Sequence, residues 1–320
     1  MTSSLPPEVR EVFERFVTTE FTTIDARQQP ITWPVTPYYR SGAATIDVTT
    51  GIGYPKKADD AARNPSVSLL FSDPTGSGID PASTILVQGT AEIDDADLDA
   101  NTERYVRESS EKLPATKKMH PPKPMRRLLR WYYARLYVKV RPERVFVWPG
   151  GDQSAEPALL DAHMEEVRSG HSEEPPTARA PTEGGEARWD PRMGQLGDRY
   201  RTALLTWVGP DGFPISCRFP VEADEGAGRI RIGDEPAGLP LAEGRACVAA
   251  HRHHPDFEWQ RNFQVRGDLV REDGGWAVVP RRFVGGIDVS PSAIERSRMF
   301  VRRTLMHRRL ARERLRARES

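Results

Sequence analysis

The residues best suited to chemistry lie between Ala44 and Leu70, in the stretch ATIDVTTGIGYPKKADDAARNPSVSLL. Thr49 and Thr50 offer hydroxyls, Gly51 and Gly53 expose backbone N–H groups, and Lys56-Lys57 supply positive charge. Hydroxyls, backbone donors and lysines at a strand-to-helix turn suit a phosphate monoester. The same residues also spell a hairpin-like turn with two solvated lysines, and the segment alone does not separate the two. Ile46 and Val48 alternate with polar neighbours at the period of a half-buried strand. A short helix from Asp59 to Arg63 stops at Asn64-Pro65, because the residue before a proline is pushed out of the helical region. Val67, Leu69 and Phe71 then re-enter a sheet.

Other chemistry is sparser. His251-Arg252-His253-His254-Pro255, with Asp256 and Glu258, is the densest histidine cluster, but its spacing matches no ligand signature and no metal site is expected. Cys217 and Cys247 are the only cysteines and form no C-x-x-C, which argues against a disulfide framework or structural zinc and fits a reducing, cytoplasmic setting. Tyr38, Tyr39 and Tyr54 are proton donors by type only, so no catalytic residue is assigned. Lys+Arg and Asp+Glu balance at 46 each over 320 residues, which excludes a generic polyanion binder. The charge is uneven, however, with an acidic middle and a very basic end. No run approaches the ~18 apolar residues that span a bilayer, and MTSSLPPEVREVFERF reads as a capped, charged helix rather than a signal peptide.

The elements that would position the turn are short strands. Val9, Val12, Phe13 and Phe16 make a helical stripe. Phe21 to Ala26 and Ile31 to Tyr39 read as two strands, the second an edge or bulged strand because it contains Pro34 and Pro37. Ser72 to Ser83 is a loop and Ile85 to Ile93 a strand. Leu98, Tyr105, Val106 and Leu113 mark a helix, Met125 to Tyr137 is rich in Arg and aromatics, and Val138 to Trp148 alternates as a strand. Short antiparallel strands at this spacing point to a barrel.

Five elements in this order, Pro34-Val35-Thr36-Pro37, Thr49-Thr50-Gly51 with Lys56-Lys57, Arg63-Asn64-Pro65-Ser66-Val67-Ser68-Leu69, Gln88-Gly89-Thr90-Ala91 and Arg141-Pro142-Glu143-Arg144-Val145 leading to Trp148, resemble the pyridoxamine 5′-phosphate oxidase-like family of flavin-binding split β-barrels. The resemblance covers the first half of the chain. It implies FMN, or alternatively the deazaflavin F420, held at a two-barrel interface. Carried over, Thr49, Thr50, Lys56 and Lys57 resemble the phosphate-holding turn, and Val35, Thr36 and Pro37 the strand along the isoalloxazine ring. Gln88 looks like the residue that bonds the flavin side, and Trp148 like the aromatic near the interface. The sequence departs from the family at Tyr54-Pro55-Lys56, which leaves open which lysine touches phosphate, and it shows no counterpart of the vitamin B6-binding residues.

Residues 151–194 contain an acidic helical piece, Ala158 to Val167, and a Pro/Gly/Glu-rich linker. From about residue 195 to 286 the grammar of the first half returns. Phe213 to Val221 mirrors the Pro-flanked strand, Arg229 to Gly233 mirrors TIDVTTG, Ala246 to His251 mirrors VSLLF, and Asn262 to Val270 mirrors ILVQGTAEI. At the place of the lysines stand Asp234 and Glu235, which repel phosphate. A pseudo-dimer with one competent site follows, as a monomer or homodimer. Residues 287–320 form an Arg-rich helix with Ile294, Val301 and Leu305 along one face.

The expectation is a mainly β, α+β chain: a first split β-barrel over 1–150 that binds cofactor, a linker over 151–194, a degenerate second split barrel over 195–286 and a basic tail over 287–320. Its function reads as an FMN- or F420-dependent oxidoreductase acting on a small-molecule substrate. The alternative is a non-catalytic cofactor- or haem-binding protein whose tail engages nucleic acid, membrane or an acidic partner.

Overall fold

The structure is a computed structural model and describes residues 5–161, 186–289 and 293–319. Pro7 opens helix α1 (Pro7–Arg15), whose Val9, Val12 and Phe13 are buried, and Phe13 packs 5.0 Å from the ring of Phe71. There follow strands β1 (Thr19–Ile24), β2 (Pro30–Val35) and β3 (Ile46–Gly51), helix α2 (Lys56–Arg63), and strands β4 (Ser66–Phe71) and β5 (Thr84–Asp94). Helix α3 (Leu98–Lys112) starts where the Asp97 side chain accepts bonds from the N–H groups of Asp99 and Ala100. Short helices α4 (Lys123–Leu128) and α5 (Arg130–Tyr133) lead into β6 (Arg135–Trp148) and β7 (Ala158–Asp161).

The first sheet runs β2-β1-β4-β5-β6-β3, with β7 beside β6. A bridge between Tyr38 and Asp47 ties the chain after β2 back to β3, so the sheet curls toward closure. The proline-bearing strand does lie at the end of the sheet order, where a missing N–H is tolerated.

The second half contributes β8 (Thr202–Val208), β9 (Pro214–Asp224), β10 (Arg229–Ile232), β11 (Gly244–His253), β12 (Gln260–Glu272) and β13 (Gly275–Val289), closed as β10-β13-β12-β11-β8-β9. Read from the other end this is β9-β8-β11-β12-β13-β10, the order of the first sheet strand for strand. The irregularities repeat too. A register shift follows Gln88 in the β5–β6 ladder, where Gly89 faces Pro142, and another follows Arg266 in the β12–β13 ladder, where Gly267 faces Pro280. Both positions need glycine, because a Cβ would collide with the carbonyl oxygen of Arg141 or Val279 across the bulge. The chain is thus two tandem barrels followed by helix α6 (Ala293–Glu319).

The barrels pack through β1 and β2 against β8 and β9. Thr22 and Thr32 face each other in one ladder, Thr206 and Ser216 in the other, and the four hydroxyls close a buried ring. Its sides are Thr22–Thr32 at 2.9 Å, Thr32–Thr206 at 2.8 Å, Thr206–Ser216 at 2.9 Å and Ser216–Thr22 at 3.3 Å. Thr22 meets Ser216, the counterpart of Thr32, and Thr32 meets Thr206, the counterpart of Thr22, the reciprocal pairing that an isologous, two-fold-like contact produces. Beside the ring, buried Glu20 accepts from Arg218 at 3.0 Å and bonds His251 Nε2 at 2.6 Å.

One expectation about the elements is corrected. Ala158–Asp161 pairs with β6 as a strand rather than opening a helix, because Leu160 finds a place against the first core; the rest of that piece, residues 162–167, lies outside the described residues. On α6, Val301 and Leu305 do share one face, and that face is turned to solvent at 58% and 73% exposure; the side chain of Ile294 lies outside the described residues.

Candidate anion-binding site

Strand β3 delivers Thr49 and Thr50 to the turn, and α2 carries the two lysines. The Thr49 hydroxyl donates to the Leu136 carbonyl and that of Thr50 to the Tyr54 carbonyl, both at 3.0 Å. The N–H groups of Ile52, Gly53 and Tyr54 bond the carbonyls of Ala134, Trp131 and Gly51. The turn's hydroxyl and backbone donors are therefore committed inside the protein, and what it offers an anion is side-chain charge.

The two lysines differ. Lys56 is exposed, lies 2.8 Å from an Asp60 carboxylate oxygen and 4.0 Å from Asp25, and is neutralised. Lys57 is half-buried and, among the described residues, has neither hydrogen bond nor ion pair. Burial first, and then the charges of Arg135 and Arg303, push its pKa down to about 8.

Arg135 is the residue sequence reasoning missed. It opens β6 directly opposite Gly51, which places its guanidinium under the turn. It is 5% exposed, donates from Nη1 to the Tyr54 hydroxyl at 3.2 Å, and lies over the rings of Tyr105 (3.7 Å) and Tyr132 (4.2 Å). Its Nε has no partner, and no carboxylate pairs with it among the described residues. The one signal in the sequence was the Arg- and aromatic-rich run before Val138, which carries no ligand pattern of its own. Tyr54 is pushed up to about 12, chiefly by burial, so it stays a neutral hydroxyl between the cation and the turn. Tyr38, another donor by type, is raised by burial as well, beyond use as an acid.

The remaining sequence-derived residues fall elsewhere. Val35 and Thr36 are half-buried and Pro37 is buried at the end of β2, the strand that packs on the second barrel. Gln88 is buried and donates to the Pro214 carbonyl at 3.1 Å across the barrel interface. Trp148 is fully buried in the cluster shared with the second barrel and donates to the Ala155 carbonyl at 3.0 Å. Thus Thr49, Thr50, Lys56 and Lys57 come together on one turn, while Gln88 and Trp148 are spent on joining the barrels.

Among the described residues the second barrel shows no such turn. Register places Ile230, opposite Val278, where Ile46 stands opposite Val140, so Gly233-Asp234-Glu235 occupy the place of Thr49-Thr50-Gly51. Glu235 accepts from the Leu241 N–H and closes its own loop. A hollow of about 410 Å³ at this end is lined by Glu222, Glu272, Trp276 and Arg231, the last already bound to Asp224 at 2.7 Å. It lies open because a tight β12–β13 hairpin replaces α3–α5. The histidine cluster is also committed: His251 bonds Glu20, and His253 bonds Thr18 at 3.1 Å.

No family profile and no curated protein match the sequence. Pyridoxamine 5′-phosphate oxidase-like split barrels are among the chain's structural neighbours. A protein from Clostridium acetobutylicum of the pyridoxinephosphate oxidase family, related to general stress protein 26, is 12% identical, covers 48% of this chain and 92% of its own, and has a TM-score of 0.34. An F420 reductase is 16% identical over 44% of this chain and 98% of its own, with a TM-score of 0.33. HutZ, the heme storage protein from Vibrio cholerae, is 18% identical over 45% and 94%, again with a TM-score of 0.33. Values this low assign neither family nor ligand to the chain.

Proposed function

We infer that the chain is an oxidoreductase that holds FMN or F420 beside the first barrel's β3–α2 turn, where the two barrels meet. The observation that carries this reading is the Lys57–Arg135 pair: two cations under one turn, one of them buried, with no carboxylate among the described residues. Uncompensated buried charge is costly, and an anion is what removes the cost. A phosphate suits it best, because a guanidinium and an ammonium can share its oxygens.

The sequence resemblance supplies the rest of the ligand. Lys57 and Arg135 would hold the phosphate, Lys56 would stay with Asp60, and the half-buried end of β2 from Val35 would lie along the ring system. Bound there, the cofactor would supply hydride transfer; the protein supplies position, charge and exclusion of water. No side chain is assigned as acid or base. FMN is the first choice and F420 the second, and two buried free thiols go with a cytoplasmic setting.

A cofactor fluorescence titration tests the reading. The full chain is expected to bind FMN or F420 saturably, and Lys57→Ala to weaken it tenfold or more, the worth of one charge-assisted bond. Absence of saturable binding to both would refute it.

A further inference from the structure

Resting on that reading and extending it, we propose that Arg303 of α6 is the third cation of the phosphate site, so that a bound anion fastens the C-terminal helix onto the first barrel. Helix α6 lies on the turn itself. His307 Nδ1 donates to the Gly53 carbonyl at 2.8 Å, and its ring stacks on Trp131 at 5.7 Å and 18°. A Cβ at residue 53 would press on both the Trp131 carbonyl and His307, so glycine is what lets helix and turn approach. Further along, Arg314 Nη1 reaches Asp59 of α2 at 2.8 Å, and Ala311 is buried in the first core.

Arg303 sits one turn before His307 and therefore on the docked face. Its Nη2 donates to the Gly286 carbonyl at 3.3 Å, and its charge acts on Tyr54, Tyr132 and Lys57. Burial holds its pKa below the ordinary value.

This docking inverts an ordinary amphipathic helix. Val301, Leu305 and Met306 point to solvent, while Arg303, His307 and Arg314 point at the barrel. Arg314 has Asp59 as counter-charge; Arg303 has no carboxylate partner among the described residues. Arg135 and Arg303 both act on Lys57 as repelling cations in a desolvated place, and Arg135 keeps an orphaned Nε. Without an anion that repulsion opposes docking of α6. A phosphate among the three turns it into attraction, and by reciprocity whatever fastens α6 tightens the anion.

Tryptic digestion of the full chain reads the link, because α6 carries arginines at 296, 298, 302, 303, 308, 309, 312, 314, 316 and 318. Saturating inorganic phosphate is expected to slow cleavage after Arg308, Arg309 and Arg312 about tenfold. In Arg303→Ala and in Lys57→Ala, with circular dichroism unchanged, phosphate should have no effect, and Arg303→Lys should keep part of it. Equal protection in wild type and Arg303→Ala, or none in wild type, would overturn the proposal. Protection by phosphate without binding of FMN or F420 would keep this inference and remove the cofactor reading. Cofactor binding without protection would do the reverse.

Discussion

Lys57 and Lys56 are neighbours with different electrostatic lives. Lys56 has a carboxylate at 2.8 Å, whereas Lys57 has no ion pair among the described residues, feels the charges of Arg135 and Arg303, and is pushed by burial down to a pKa of about 8. FMN affinity is therefore expected to be highest below pH 8 and to fall as pH rises through it, because the free ammonium is lost; Lys57→Ala should flatten that profile between pH 7 and 9 in a fluorescence titration. Stability moves the opposite way. The folded pKa lies below the ordinary 10.5, so the unfolded chain holds more protons between the two values and stability without ligand rises from about pH 8 to 10.5. Urea melts across that window, with Lys57→Gln as the control, check the sign. The sequence showed two lysines after a strand and left open which of them meets the anion. The choice depends on Asp25 and Asp60 closing on Lys56 and on Arg135 arriving from β6, contacts made only in three dimensions.

At the scale of elements, strands were legible because period-two alternation, proline and glycine report directly on backbone geometry. The Pro-rich β2 falls at the end of the sheet order, and the mirrored QGTA and RGDL segments prove to be matching bulges. Gly89→Ala and Gly267→Ala are each expected to cost about 2 kcal/mol or more, since the new Cβ meets a carbonyl oxygen of the facing strand. Thermal melts should drop comparably for the two, and a loss confined to one would argue against equivalent bulges. Helix α6 was legible as a helix but not in its orientation. Apolar spacing put Val301 and Leu305 on one face without saying where that face points; the surface the helix meets offers Asp59, the Gly53 carbonyl and Trp131, so histidine and arginine face inward and the apolar pair faces solvent. Helical periodicity reports a hydrophobic face only when the partner surface is hydrophobic.

On the scale of the whole molecule, duplication explains both the interface and its asymmetry. The hydroxyl ring of Thr22, Thr32, Thr206 and Ser216 pairs positions reciprocally, whereas Glu20, Arg218 and His251 form a hydrogen-bonded cluster around one buried ion pair on one side. Arg218→Ala should cost about 3 kcal/mol in a denaturant melt, because Glu20 is 1% exposed and loses its permanent cation. An unchanged midpoint would show that His251 and Ser72 suffice. The two barrels also differ where the proposed anion site lies: Lys57 and Arg135 stand in the first, Asp234, Glu235 and Glu272 in the second, and among the described residues no helix covers that end. On the proposed function, one cofactor per chain is expected. Calorimetric titration of the full chain with FMN and, separately, with riboflavin, which lacks the phosphate, tests this most directly. The account predicts one FMN per chain and riboflavin at least tenfold weaker, with Lys57→Ala reducing FMN to the riboflavin level. Equal affinity for both ligands, two sites per chain, or no binding of FMN or F420 would contradict it.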